Sequence, residues 1–274
     1  MTVDERPLLD RLRELGPLAV AYSGGVDSAL VLAAAARALG PDQVLAVTAV
    51  SESLASTELE RAAAFAREFG VRHETPRTAE LDRPGYRANS RNRCYFCKSE
   101  VLDVIGDLAR ERGFQVVATG TNADDAASRF RPGIRAADER GVHAPLRDTG
   151  MTKADVRAVS RRWGLSTWDK PAMPCLASRI RYGVEVSADR LARVDRAEAA
   201  VRGLLAVAGV DAVDLRVRDL GDVARVDVDA ERVDAVRAVP GLAEAVLAAG
   251  FESFAEVRSF QSGVLNIEPV APQA

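Results

Sequence analysis

The chain has 274 residues, 47% of them hydrophobic, with 37 Lys and Arg against 40 Asp and Glu. That size suits two compact domains or one large α/β unit with an appendage, and a net charge of −3 argues against a broad nucleic-acid grip while leaving room for a local basic groove. No run approaches the roughly 18 apolar residues of a membrane span, residues 1–15 lack the apolar core of a signal peptide, and three cysteines are too few for a secreted disulfide scaffold, so the cytoplasm is the expected compartment.

Leu8, Leu9, Leu12 and Leu15 recur at helical spacing and predict an opening amphipathic helix. Residues 17–22 read as a buried strand running straight into Ser23-Gly24-Gly25-Val26-Asp27-Ser28, followed by an Ala/Leu helix that ends near Gly40. A strand over 43–50, a helix over 56–69 stopped by Gly70, and a short strand over 71–74 come next. After a turn-rich stretch at 83–93, a helix is expected over 94–112 and a strand over 115–119. This alternation argues for a parallel, doubly wound sheet in an α/β fold. Residues 120–150 lack periodicity and read as loop, and 152–163 as a helix with Thr152 as N-cap. Pro171, Pro174 and Gly183 punctuate an irregular run, which places a domain boundary near 184.

Beyond it the pattern is a long helix over 188–207, strands over 212–217 and 224–228, a helix over 230–247 broken at Pro240, and a strand over 253–260. The expected organisation is therefore a nucleotide-binding domain over 1–184, a smaller α+β domain over 185–268, and a disordered tail over 269–274.

The loop Ser23–Ser28 sits at a strand-to-helix turn. Two glycines let backbone approach an anion, the N–H groups of the following helix face it, and the serine hydroxyls add donors. Asp27 makes sense there as a ligand for a Mg²⁺ ion that bridges phosphates. The Walker lysine pattern is missing, which excludes a P-loop NTPase. This Ser-Gly-Gly-x-Asp-Ser loop resembles the PP-loop ATP pyrophosphatases. That resemblance implies ATP cleavage between the α- and β-phosphates, an adenylate intermediate and release of pyrophosphate.

Only Lys98, Lys153 and Lys170 among the basic residues are lysines, which favours a need for a compact ammonium at each. Cys94 and Cys97 form a C-x-x-C, and Cys175 stands alone. A thioredoxin-like redox context is absent. Neither His73 nor His143 sits at zinc-ligand spacing. On spacing alone, zinc, a three-cysteine iron–sulfur site and inert thiols all stay open.

The runs Gly85–Lys98, Gly120–Asp125, Arg131–Gly133 and Trp168–Ile180 (WDKPAMPCLASRI) together resemble the LarE family along nearly the whole chain. Those are ATP-dependent sulfur transferases that build the nickel-pincer nucleotide cofactor of lactate racemase. The resemblance implies adenylation of a carboxylate of pyridinium-3,5-biscarboxylic acid mononucleotide, then replacement of oxygen by sulfur. It also implies a [4Fe–4S] cluster on Cys94, Cys97 and Cys175 as the sulfur carrier, the alternative being a sacrificial cysteine at Cys175. Arg179 and Lys98 are expected to meet developing phosphate charge. Thr121, Asn122, Asp124 and Asp125 are expected on the ATP side, at the carboxyl edge of the sheet. Arg216 and Arg218 are expected to hold the substrate phosphate, with Glu198 and Asp227 nearby. The partners implied are a small nucleotide substrate and further copies of the chain, with no membrane and no nucleic acid. Two rival readings are a cluster-bearing tRNA thiolase, disfavoured by the charge, and a metal-binding regulatory protein, disfavoured by the intact phosphate loop.

Overall fold

A computed structural model of the chain describes residues 3–127, 131–171 and 174–261. The expected tail at 269–274 lies outside the described residues, as do Ala172 and Met173. In chain order the elements are α1 (Arg6–Leu15), β1 (Leu18–Ala21), α2 (Val26–Leu39), β2 (Val44–Val47), α3 (Ser56–Glu68), β3 (Arg72–Glu74), α4 (Pro84–Arg87), α5 (Arg93–Glu111) and β4 (Val116–Ala118). Then follow α6 (Ala123–Ala127), α7 (Pro132–Asp138), α8 (Pro145–Asp148), α9 (Lys153–Arg162), α10 (Ala188–Val207), β5 (Arg216–Asp219), β6 (Val223–Val228), α11 (Val233–Arg237), α12 (Leu242–Ala248) and β7 (Ser253–Ser259).

The chain divides into two compact units. The first comprises Met1–Ser51, Ser56–Glu80 and Cys94–Met173. Its sheet is all-parallel in the order β3-β2-β1-β4, so the chain winds outward in both directions from β1. Side chains alternate across the central strands. Leu18, Val20, Val44 and Ala46 pack into one core with Leu8, Leu12, Leu30, Phe65, Val156 and Val159. Ala19, Ala21, Leu45 and Val47 pack into the other with Leu102, Ile105 and Ala109 of α5. Burial on both faces explains why these strands read as continuous apolar runs.

The second unit comprises Glu52–Ala55, Leu81–Arg93 and Pro174–Ala274. Its sheet has the order β5-β6-β7, with β5 antiparallel and β7 parallel to β6. The division therefore falls at 173/174, not near 184, and two earlier stretches join the later half. The cause is polar: the backbone from Leu176 to Val186 is bonded by Ser53, Arg87, Asn89 and Arg93.

Two more expectations give way. Residues 120–150 hold the short helices α6, α7 and α8; Pro132 and Pro145 start two of them, where a fixed φ and a missing N–H are favourable. Helices this short show no periodicity. The first strand of the second unit begins at Arg216, not 212, because the Val213 and Asp214 N–H groups donate to the Asp229 carboxylate, at 2.8 and 3.2 Å, and not to a ladder. The break expected at Pro240 is present: Val233–Arg237 and Leu242–Ala248 are separate helices on either side of Pro240 and Gly241. Among the described residues no helix is long and apolar enough to cross a membrane.

Candidate active site

β1 delivers the chain to the phosphate loop, and the Tyr22 N–H extends the pairing by donating to the Val47 carbonyl at 2.8 Å. Gly24 then adopts φ +72, a left-handed turn that suits glycine. Gly25 caps α2 without a side-chain hydrogen bond. The N–H groups of Val26, Asp27 and Ser28 consequently have no acceptor inside the helix, and the 14-residue α2 aims its positive end at the same point. Ser28 Oγ accepts from the Ser23 N–H at 3.2 Å, lies 3.2 Å from Ser23 Oγ and donates to the Gly25 carbonyl at 3.1 Å. The hydroxyls thus shape the loop that the sequence marked as an anion cradle.

The carboxyl end of β4 closes on this loop. A Cβ on Gly120 would lie 2.5 Å from the Ser28 nitrogen and 2.8 Å from the Asp27 carbonyl carbon, so only glycine lets the two backbones meet. Two residues on, buried Asn122 donates to Asp27 Oδ1 at 3.0 Å while its own Oδ1 takes the Asp125 N–H at 2.9 Å. Asn122 therefore orients Asp27. Thr121 Oγ1 lies 3.3 Å from Thr119 Oγ1, and Asp125 pairs with Arg131 at 3.1 Å.

Two lysines converge here. Lys153 places its ammonium 2.5 Å from Asp27 Oδ2, and its N–H donates to Asp124. Lys170 donates to the Gly24 carbonyl at 2.9 Å and to Glu58 at 2.6 Å, in a pair almost closed to solvent. Sequence reasoning singled out all three lysines by their scarcity, but gave neither of these a place at the loop. The third, Lys98, lies half-buried on α5, with Gly133 of α7 against its stem. Burial pushes the Lys98 ammonium pKa down, opposed by negative charge on Cys97.

Cys94 and Cys97 lie one helical turn apart at the start of α5, Cys94 exposed and Cys97 half-buried. Cys97 Sγ is 4.0 Å from Glu80 Oε1, which Ser51 Oγ also reaches at 3.2 Å. Burial pushes the Glu80 carboxyl up. Among the described residues no three of His, Cys, Asp and Glu form a group placed to hold a metal ion.

In the second unit, exposed Cys175 caps the 3-10 turn Leu176–Arg179. None of the three cysteines is in a disulfide. Arg179, expected to face a phosphate, is 1% exposed and turned inward. Its guanidinium bonds Glu198 at 2.8 and 3.2 Å, the Pro174 and Cys175 carbonyls and Ser178 Oγ. Glu198 also accepts the Val217 N–H at 3.1 Å. Arg216 and Arg218 project from the same face of β5 and stand over the Phe260 ring at 5.4 and 5.7 Å. Arg218 and Arg225 share Asp227, at 2.7 and 2.8 Å. Burial, and the charge of Arg179, pull the Arg216 pKa down to about 10.

Residues 8–84 match the asparagine synthase family. An uncharacterized protein of Synechocystis is 43% identical over 259 residues, 92% of this chain and 93% of that one. The pyridinium-3,5-bisthiocarboxylic acid mononucleotide synthase of Lactiplantibacillus plantarum is 33% identical over 226 residues, 82% of this chain and 79% of that one. The chain belongs to the LarE family. An uncharacterized Methanocaldococcus jannaschii protein is 24% identical over 210 residues, 77% of each chain. Within this LarE chain, Gly120, Lys153 and Lys170 are the residues at the loop that sequence reasoning did not assign there.

Proposed function

We propose that this chain transfers sulfur, at the expense of ATP, to the carboxylates of pyridinium-3,5-biscarboxylic acid mononucleotide. The observation that carries the reading is the likeness, over 82% of the chain, to a pyridinium-3,5-bisthiocarboxylic acid mononucleotide synthase, in a chain whose phosphate loop is intact. A carboxylate is a poor electrophile, and AMP converts its oxygen into a phosphate leaving group. The loop N–H groups and the serine hydroxyls bind the ATP phosphates. Asp27 holds Mg²⁺, a role supported by the ammonium already drawn to its Oδ2 and by the fixed Asn122 contact at Oδ1. Lys153, displaced from Asp27, meets the departing pyrophosphate.

In the second unit the buried guanidiniums of Arg216 and Arg218 receive the phosphate of the substrate nucleotide, with Glu198 and Asp227 holding their neighbours in place. Cys94, Cys97 and Cys175 suit a [4Fe–4S] cluster by donor chemistry, being thiols outside disulfides with two of them one turn apart. When bound, such a cluster supplies a soft sulfur nucleophile. Lys98 places its amine beside Cys97.

The test is anaerobic reconstitution followed by incubation with ATP, Mg²⁺, sulfide and the biscarboxylate nucleotide, read by mass spectrometry. The expected product gains about 16 Da for each oxygen replaced by sulfur, with one pyrophosphate released per replacement. ATP turnover without that mass gain overturns the substrate assignment. More than one sulfur per chain supports the cluster route, and loss of about 34 Da at Cys175 in step with product supports the sacrificial one.

A further inference from the structure

The stretch from Cys175 to Val184 carries an exposed free thiol on backbone that is neither long helix nor strand. Its own hydrogen bonds are few turns: Ser178 to Cys175, Ile180 to Ala177 and Val184 to Arg181. Beside the bonds from Arg179 to the Cys175 carbonyl and from the Leu176 N–H to Ser53, one residue, Asn89, ties residues 180–184. Asn89 is fully buried, and it is the one non-glycine at positive φ (49°) among the described residues. Its Nδ2 donates to the Arg181 carbonyl at 2.9 Å and the Val184 carbonyl at 2.8 Å, and lies 3.4 Å from that of Ile180. Its carbonyl oxygen on the main chain takes the Gly183 N–H at 3.2 Å. Its Oδ1 takes Arg93 Nη1, and the same nitrogen donates at 2.8 Å to the carbonyl of Ala177, two residues past Cys175.

These bonds replace secondary structure along that stretch. Asparagine suits the position twice over: it tolerates left-handed backbone, and it presents donors to carbonyls and an acceptor to a guanidinium at once. Aspartate would offer the carbonyls no N–H and face them with charge. Arg93 adds a single nitrogen, Nη1, that donates to Asn89 and to Ala177 together and so ties the two.

We propose that Asn89 and Arg93 are positioning residues for Cys175, fixing the segment that presents its thiol. The functional importance of that thiol rests on the sulfur-transfer reading; its placement by Asn89 and Arg93 does not. The staple lies wholly within the second unit, so its loss leaves the phosphate loop untouched.

The experiment is iodoacetamide alkylation of the full-length protein, resolved by peptide mass spectrometry so that Cys94, Cys97 and Cys175 are read separately. In Asn89→Asp, and in Arg93→Met, the Cys175 rate is expected to change about fivefold or more, while the Cys94 rate and the ATP dissociation constant stay within about twofold of wild type. In active preparations kcat falls with the KM for ATP unchanged. Where Asn89→Asp does not fold, Asn89→Gly keeps the left-handed backbone, removes the side chain and is read the same way. An unchanged Cys175 rate in folded variants overturns the proposal, and so does an equal change at all three cysteines together with weakened ATP binding. Failure of the sulfur-transfer reading would appear instead in wild type, as absence of thiolated product with the alkylation pattern intact.

Discussion

The loop from Ser23 to Ser28 has no basic side chain of its own, whereas the region around Arg216 buries the guanidiniums of Arg179, Arg216, Arg218 and Arg225 against the buried carboxylates of Glu198 and Asp227. Asp219, also buried, is taken by Arg190 and Arg193. The loop offers backbone dipoles, which water satisfies when no ligand is there. The arginine region keeps formal charge out of water, and the lowered Arg216 pKa reports that strain. Because the folded value lies below that of a free guanidinium, the penalty is present in full below about pH 10 and fades only above it. A bound anion relieves the same penalty at neutral pH. Affinity in the loop is thus a matter of backbone fit, and in the arginine region a matter of charge. Substitutions that alter only one of these should therefore discriminate between the regions.

The largest effect is expected from Asp27→Asn, which keeps the shape and removes the charge proposed to hold Mg²⁺. Pyrophosphate release should fall about 100-fold or more, since a metal on transferring phosphate contributes several kcal/mol. Circular dichroism should be unchanged. Release at the wild-type rate would remove Asp27 from the metal role. Gly120→Ala comes next and adds no charge at all. Its Cβ would stand 2.5 Å from the Ser28 nitrogen, so either β4 or the first turn of α2 must move. We expect a loss of about 1–3 kcal/mol in stability and a weakening of ATP binding by about tenfold in calorimetry. Normal ATP affinity in that variant would mean that the loop does not depend on this close approach.

These two residues also mark how far the sequence could be read. Ser23, Gly24, Gly25, Asp27 and Ser28 are adjacent in the chain, so their geometry is local and legible. Gly120 gave no local sign, because the atom it avoids belongs to a residue more than ninety positions away. Lys153 and Lys170 were visible only as rare lysines, and their partners Asp27 and Glu58 came from elsewhere in the chain. For Arg179 the motif gives the residue type but not its contacts, and its guanidinium pairs with buried Glu198. The strand shift at β5 depended on the Asp229 side chain competing for N–H groups, which strand propensity ignores.

A smaller effect is expected on the arginine side. A pyridine mononucleotide at about 100 times its dissociation constant should stabilise the wild type by about 2.7 kcal/mol, or roughly 5–10 °C in Tm. Arg216→Met removes one buried charge while keeping much of the apolar volume. Its Tm without ligand should not fall below wild type by more than a few degrees, and its ligand-induced rise should disappear. A full rise in that variant would place the phosphate elsewhere.

The smallest effect concerns pH and belongs to the loop side. Thr48 Oγ1 donates to the Tyr22 carbonyl at 2.7 Å, so at 2.8 Å from His73 it must accept from Nε2–H. The neutral ring of His73 is thereby the Nε2–H tautomer, linked through Thr48 to the last residue before the phosphate loop. Burial lowers its pKa below the usual 6.5. Below that pH the unfolded chain takes up a proton that the folded chain refuses, so stability present above about 6.5 is lost as the pH falls toward the folded value. One proton limits the slope to about 1.4 kcal/mol per pH unit, and partial exposure makes it less. His73→Gln keeps an N–H donor and cannot titrate in this range. Urea midpoints compared at pH 7.5 and pH 5 should therefore differ less in the variant than in wild type. Equal differences in the two proteins would mean that His73 does not set the acid limit, and the search would move to the paired carboxylates.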